Sequence, residues 1–583
     1  MPSETYSTVY GFGLTTPFYW ALAPNYDMTI SPTITSNQGP LMQVEWRHRL
    51  LDGAYSIRAA GIFQLNKDQF ANETPVGTFN SGDRDFRGMI QTNGQFNITD
   101  RWAWGWAGTL VTDKPFLQDY GVMKIPPEII SQAYLTGRGD TSYFEARAMH
   151  FLGLSAFDNQ SQLPVIHPVI DYAYTFGQPI VGGELSYRFN LTSLSRDTAD
   201  FEAITQRAQD QLLCAPTTAD PAAKIPANCL LAGVPGDYTR LSGQAMWRRT
   251  FIDPFGEMFT PFFSARVDTA EVSVSPQPGV ANFIPTGDST LVRAMPAAGL
   301  EYRYPFISVH SWGTQTIEPV AQVIIRPNET DIGRFPNEDA QSLVFSDSNL
   351  LSLNKYSGYD RVEGGSRANV ALQYTAQFNQ GGYVNVLFGQ SYQLFGKNSF
   401  AVPDASNTGL NSGLDTTASD YVARFVFQPT STWGFIARAR FDEQSFDPRT
   451  VELESRVAFE RWNMSVIYGN YDAQPELGIL TRRQAVLTSA SVKLTQNWAI
   501  NGTVRYDLEA ERINTTSVGF GYIDDCLAVS LTYNTYFGYT TIPTPIQSVM
   551  LTISLRTLGT SRISQSLTTS SLSTLDPTQS LHF

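Results

Sequence analysis

Residues 11–34 read GFGLTTPFYWALAPNYDMTISPTI, and the reading of this stretch decides the rest. Two runs rich in aromatic and β-branched residues flank Pro24-Asn25. Proline presets φ for the first central position of a turn and asparagine tolerates the second, so Ala23-Pro24-Asn25-Tyr26 predicts a hairpin. With the turn centred between residues 24 and 25, Pro17 falls opposite Pro32. Neither proline can donate to a ladder, and strand prolines belong at edges or bulges. Two of them facing each other describe a hairpin built to pair weakly.

Composition bounds what such a hairpin could belong to. The chain has 583 residues, 13% aromatic and only 16% charged, with a formal net charge of −14. That balance argues against a polyanion-binding surface as the main function. No run of 18 apolar residues occurs, which excludes a transmembrane helix but not a barrel, whose strands need only about 9–11 residues each. The first residues, MPSETYSTVYGFG, carry no signal-peptide pattern, so the expectation is a piece of an exported protein with residues 1–9 as a connection from something upstream.

Period-two alternation recurs along the chain. Trp498, Ile500, Val504, Tyr506 and Leu508 oppose Asn501, Thr503, Arg505, Asp507 and Glu509. Val451, Leu453, Val457 and Phe459 oppose Glu452, Glu454 and Arg456, and Phe435, Ala437 and Ala439 oppose Arg438 and Arg440. Alternation establishes all-β. Three further features favour a closed transmembrane barrel. Aromatics sit beside short polar turns, at Trp102, Trp433 and Trp498. Strand-like segments recur over nearly the whole length, and no helical domain is present to cover a sheet, so the sheet should close on itself.

Two segments break the pattern. Residues 197–236 read as a long excursion with a short helix in ADFEAITQRAQDQLL, and 328–365 as a long irregular segment. Residues 559–583 are rich in Ser and Thr and read as a tail. Five isolated histidines show no metal-binding spacing, and no nucleophile elbow, phosphate loop or dinucleotide fingerprint is present. The expectation is a protein with no enzymatic activity, no cofactor and no metal. Cys214 and Cys229 bound a small loop suited to a local disulfide, the alternative being two unpaired thiols. Cys526 is left over, which points to a partner elsewhere or to a buried structural thiol.

The stretch TTPFYW, APNYD and SP closely resembles the start of the barrel domain in the LPS-assembly outer-membrane proteins, the LptD (OstA) family. The likeness continues at Gln315-Thr316-Ile317-Glu318-Pro319, through Ser357-Gly358-Tyr359-Asp360-Arg361 within 346–370, at Gly389-Gln390-Ser391-Tyr392, and at Asp525-Cys526. The resemblance implies a barrel of about 26 strands over residues 10–558, in the outer membrane of a Gram-negative bacterium. It also implies a lateral gate bordered by Pro17 and Pro32, between a first strand near 10–22 and a last strand near 547–558. Implied partners are lipopolysaccharide, an LptE-type lipoprotein plug in the lumen, and an LptA-type periplasmic bridge reached through an N-terminal jellyroll that this sequence lacks. Cys526 would bridge to that jellyroll. A gated porin or TonB-type receptor is the alternative.

Overall fold

The computed structural model describes residues 3–7, 10–70, 82–122, 128–154, 158–205, 214, 229–536, 546–555 and 559–566. Thirty strand segments form one antiparallel sheet, running in chain order from Ser3–Ser7 to Gly559–Ser566. Three positions are each shared by two segments interrupted within a single strand: Gly11–Thr15 with Phe18–Ala23, Gly236–Arg248 with Phe251–Ile252, and Gly287–Arg303 with Phe306–His310. The sheet therefore has 27 strand positions. A second sheet pairs Asp200–Ala203 with Cys229–Gly233. The one α-helix among the described residues is the single turn Phe116–Asp119.

The two faces of the large sheet are inverted relative to a water-soluble protein. Along Met258–Val274, Ser264, Arg266 and Asp268 are buried while Phe263 and Val267 are exposed. Along Ser366–Phe378, Arg367 and Asn369 are wholly buried while Val370 and Leu372 are exposed. Because side chains alternate with period two, a strand that buries its polar half must present its apolar half outward. An apolar exterior is stable only against lipid.

Turn chemistry separates the two rims. At one rim the turns are short, and three repeat a single device. Thr99 Oγ1 accepts from the Arg101 and Trp102 N–H groups, Thr495 Oγ1 from Asn497 and Trp498, and Thr430 Oγ1 from Thr432. Each ends in an exposed tryptophan, Trp102, Trp498 or Trp433, and Trp462 follows another turn of this rim. The opposite rim carries the long connections, including 326–365, which contains no strand or helix.

Three expectations differ from what is observed. The sheet has one position more than the roughly 26 implied, and no ladder register joins its two ends among the described residues, so closure is not seen. The strand Gly559–Ser566 pairs with Ile546–Leu555 inside the segment read as a tail. Its sequence, GTSRISQS, has one large apolar residue and hence no visible alternation. In the 197–236 excursion, the start of the stretch read as helical is instead the strand Asp200–Ala203, drawn into pairing by its partner; residues 206–213 lie outside the described residues.

Candidate functional site

The first hairpin turns at Pro24-Asn25, with Ala23 opposite Tyr26. A bulge between Ala21 and Ala23 then shifts the register by one residue, so that Phe18 faces Ile30 and Thr15 faces Thr33. Pro17 and Pro32 are consequently not opposite each other, contrary to the spacing argument, which had no means of detecting the extra residue. Thr16 donates to the Pro32 carbonyl at 3.0 Å. In a hydrogen-bonded antiparallel pair the partner returns a second bond, and Pro32, lacking N–H, cannot. Even-numbered residues of this strand thus aim their backbone groups at Tyr26–Thr35. Odd-numbered ones, Pro17 among them, aim at the outer edge.

That outer edge is half used. Among the described residues, Ser3–Ser7 pairs with Gly11–Thr15. Beyond Pro17, Phe18–Ala23 has no ladder partner on this side among the described residues. Phe18, Tyr19 and Trp20 are all exposed, so this segment bares both faces. At the far end of the sheet, Ile546–Leu555 does not present a free edge to the first strand as expected, because Gly559–Ser566 occupies it. Ser3–Ser7 and Gly559–Ser566 approach within 8 Å between Cα atoms.

Two regions of the polar face differ. From Glu184–Arg196 to Trp433–Phe441 it is covered by the chain's own segments 326–365 and 396–420. Their carboxylates meet wall arginines: Glu338 with Arg196 at 2.7 Å, Asp339 with Arg240 at 3.0 Å, Glu363 with Arg367 at 3.0 Å, and Asp347 with Arg424 at 3.0 Å. Asp360 lies at the centre. It accepts from the Tyr238 hydroxyl at 2.6 Å, from Arg240, and from the Glu338 and Asp339 N–H groups at 2.7 and 3.0 Å. Gly358 sits at φ +63°, and a Cβ there would lie 2.4 Å from the Asp339 carbonyl oxygen, so the Ser-Gly-Tyr-Asp-Arg turn requires glycine. Phe345, Leu350, Tyr356 and Phe400 anchor these segments in an apolar cluster.

Beyond Trp433–Phe441 the polar side chains are answered by neighbours on the strands themselves. Tyr471 donates to Glu452 at 2.7 Å, and Arg456 pairs with Glu454 at 3.1 Å. Glu452, Glu454 and Arg438 remain partly accessible, as expected of an open polar surface. Arg440 does not: it is buried beneath Ser412 and lies 3.3 Å from Asp420. Asp420, Asp442 and Glu443 converge closely enough to suggest a metal site, but Arg440 and Arg449 already supply their counter-charge.

Cys214 and Cys229 are joined in a disulfide, packed against Phe201 and Phe283. Cys526 is free and exposed in the short turn after Arg512–Ile523, on the rim of the exposed tryptophans. The ion-pair network was not anticipated from the sequence. Its signal was present in the acidic residues of 329–363 set against arginines at polar positions of strands far apart in the chain.

An apolar exterior, a charged interior and an all-antiparallel sheet this wide define an outer-membrane protein of the β-barrel class. A family model described as LptD, LPS transport system D, matches residues 85–477. The chain belongs to this family. Curated relatives named LPS-assembly protein LptD include that of Nitrosococcus oceani, 25% identical over 92% of this chain and 64% of the relative. The Coxiella burnetii protein is 22% identical over 92% and 62%, and that of Pectobacterium atrosepticum 21% over 91% and 64%. The chain thus spans less than two thirds of the length of these relatives. Among solved structures, the FrpB iron transporter of Neisseria meningitidis aligns at a TM-score of 0.29 and 10% identity, over 92% of this chain and 77% of that one. So low a score supports nothing further about this chain.

Proposed function

We propose that this chain is the barrel of a lipopolysaccharide-assembly translocon, closed into a cylinder and opened laterally at its first strands to release the lipid into the outer leaflet. The function is transport without a chemical reaction. The observation that carries the reading is the outer edge of Phe18–Ala23, which has no ladder partner among the described residues and exposes rings on both faces. An unsatisfied backbone group facing lipid costs several kcal/mol. A seam already short of bonds is the place where an amphipathic substrate adds least to that cost.

Strand parity supports closure by 26 strands. In an antiparallel meander with 27 positions the two end strands run the same way, so an antiparallel junction leaves one short terminal strand out of the cylinder. The uncovered part of the polar face, around Glu452 and Glu454, is the side on which an LptE-type lipoprotein plug would sit. Cys526 on the short-turn rim suits a bridge to a periplasmic jellyroll, through which an LptA-type bridge would deliver substrate.

The test is surface delivery. In cells depleted of their own translocon, the full-length protein should restore lipopolysaccharide to the cell surface. Cysteines paired across residues 3–7 and the C-terminal strands should abolish that delivery when oxidised and restore it on reduction. Delivery that persists with the seam locked would sink the lateral route.

A further inference from the structure

Three arginines stand together on the polar face, one from each of three consecutive strands: Arg240, Arg266 and Arg293. All are buried, and an arginine does not escape burial by losing its proton. The strands supply a single carboxylate among them, Asp268, which pairs with Arg266 at 2.9 Å and with Arg293 at 2.8 Å. The remaining counter-charge comes from the loop, as Glu329 on Arg293 at 3.5 Å and as Asp339 and Asp360 on Arg240. Loop carbonyls complete the set: Arg293 donates to Tyr359 O and Asp360 O at 3.1 Å each, and Arg266 also donates to Tyr359 O. The Tyr359 ring lies between two guanidinium groups, 5.4 Å from that of Arg240 and 5.3 Å from that of Arg266. Without the loop, Asp268 alone would face three guanidinium groups.

We propose that these arginines form a binding site for the anionic groups of an acidic or phosphorylated saccharide, and that residues 338–361 occupy it as an internal stand-in that yields by exchange. The identity of the ligand rests on the transport reading; the site itself does not. Lifting residues 338–361 alone would take both carboxylates from the Arg240 guanidinium in a poorly solvated place, which is strongly unfavourable. Another anion arriving as the loop leaves removes that penalty. Guanidinium forks suit this role because they bind carboxylate and phosphate bidentately and stack on flat rings. Phe345, Leu350 and Tyr356 hold the middle of the segment by apolar contact, so the exchange is confined to its two acidic ends, at Asp339 and Asp360.

Hydrogen exchange on the full-length protein in detergent tests this without any substitution. Octagalacturonate should speed exchange of peptides within 338–361, and neutral maltooctaose at the same concentration should not. In a second arm, Asp360→Asn should raise octagalacturonate affinity at least tenfold. Adding Arg240→Gln and Arg293→Gln should return it to the starting level. Retention of the heat-modifiable barrel band reports folding; if the variants fail it, the unsubstituted protein decides. No response to the polyanion, an equal response to both sugars, or unchanged affinity in a folded variant with its loop released would overturn the site. Surface delivery by the unsubstituted protein is scored separately. Delivery without polyanion response removes the site alone, and polyanion response without delivery removes the transport reading alone.

Discussion

Pro17 and Pro32 sit one residue out of register, and the offset separates two effects that direct opposition would have merged. Pro32 withholds a bond from Thr16 inside the hairpin, whereas Pro17 withholds one from whatever strand meets the outer edge. Pro32→Thr should restore the returned bond, a gain of about 0.5–1.5 kcal/mol. It should slow hydrogen exchange within the hairpin and leave delivery nearly unchanged. Pro17→Thr should do the reverse, leaving the hairpin unaltered and slowing delivery; an exchanged pattern would show that the outward aim of Pro17 is wrong. Asp339 offers a second handle. Burial first, and the neighbouring Asp360 charge second, push its carboxyl up to about 6, against Arg240. The docked loop therefore binds this proton more tightly than a released loop, whose carboxyl titrates near 3.8. Docking should strengthen as pH falls from about 6 toward 4 and weaken as pH rises through 6. Asp360 does not cancel this: burial opposes its charge, but Arg240 and the Tyr238 hydroxyl outweigh burial and hold it below the usual carboxylate range. Exchange rates of 338–361, corrected for intrinsic pH dependence, should be lower at pH 4.5 than at pH 7; Asp339→Asn should make the profile shallower, the remainder coming from Glu338, whose carboxyl burial also pushes up against Arg196.

Among the elements, those that present one face to lipid were legible, because an apolar residue at every second position is what that environment demands. Trp498–Asp507 and Pro448–Ala458 are examples. Elements held by their partners were not. Asp200–Ala203 carries Asp, Phe, Glu and Ala, reads like helix, and is a strand because Cys229–Gly233 pairs with it. Ser3–Ser7 and Gly559–Ser566 are short and hydroxyl-rich, and extend a ladder already in place. The bulge at Ala21/Ala23 was equally hidden, since one extra residue leaves no compositional trace. The disulfide closes this excursion over a separation of 15 residues. Replacing Cys214 and Cys229 with serine should remove about 3 kcal/mol by the chain-entropy estimate. The loss should appear as faster exchange and earlier proteolysis in 229–233 and around Phe283, with the ladder of the large sheet unaltered. A fall in the cooperative unfolding of the whole sheet would instead mean that the excursion is integral to it.

For the whole molecule, the sequence announces a sheet with one face for lipid and one for water but leaves its ends undetermined, because both end strands lack alternation. The interior was hidden for a different reason. Ion pairs such as Arg196 with Glu338 join residues 142 apart, and nothing local marks them as partners. If the sheet closes as proposed, parity makes testable which terminal strand belongs to the cylinder. Ser3–Ser7 and Gly559–Ser566 both occupy odd positions of an antiparallel order and so run the same way. A junction between them would be parallel, with slanted bonds and slightly less stability per residue. Without Gly559–Ser566, Ser3–Ser7 could meet Ile546–Leu555 antiparallel. A chain ending at residue 558 should therefore still form a barrel, with cysteine pairs linking residues 3–7 to 546–555 in a Cys526→Ser background. In the longer chain closure by 26 strands predicts the same links to 546–555, and a link to 559–566 would mean the parallel junction of 27 strands. If the long chain already links 3–7 to 546–555 and never to 559–566, the last strand lies outside the seam and 26 strands close without it. If truncation abolishes folding, Gly559–Ser566 is an obligatory wall strand and the junction it makes is the parallel one.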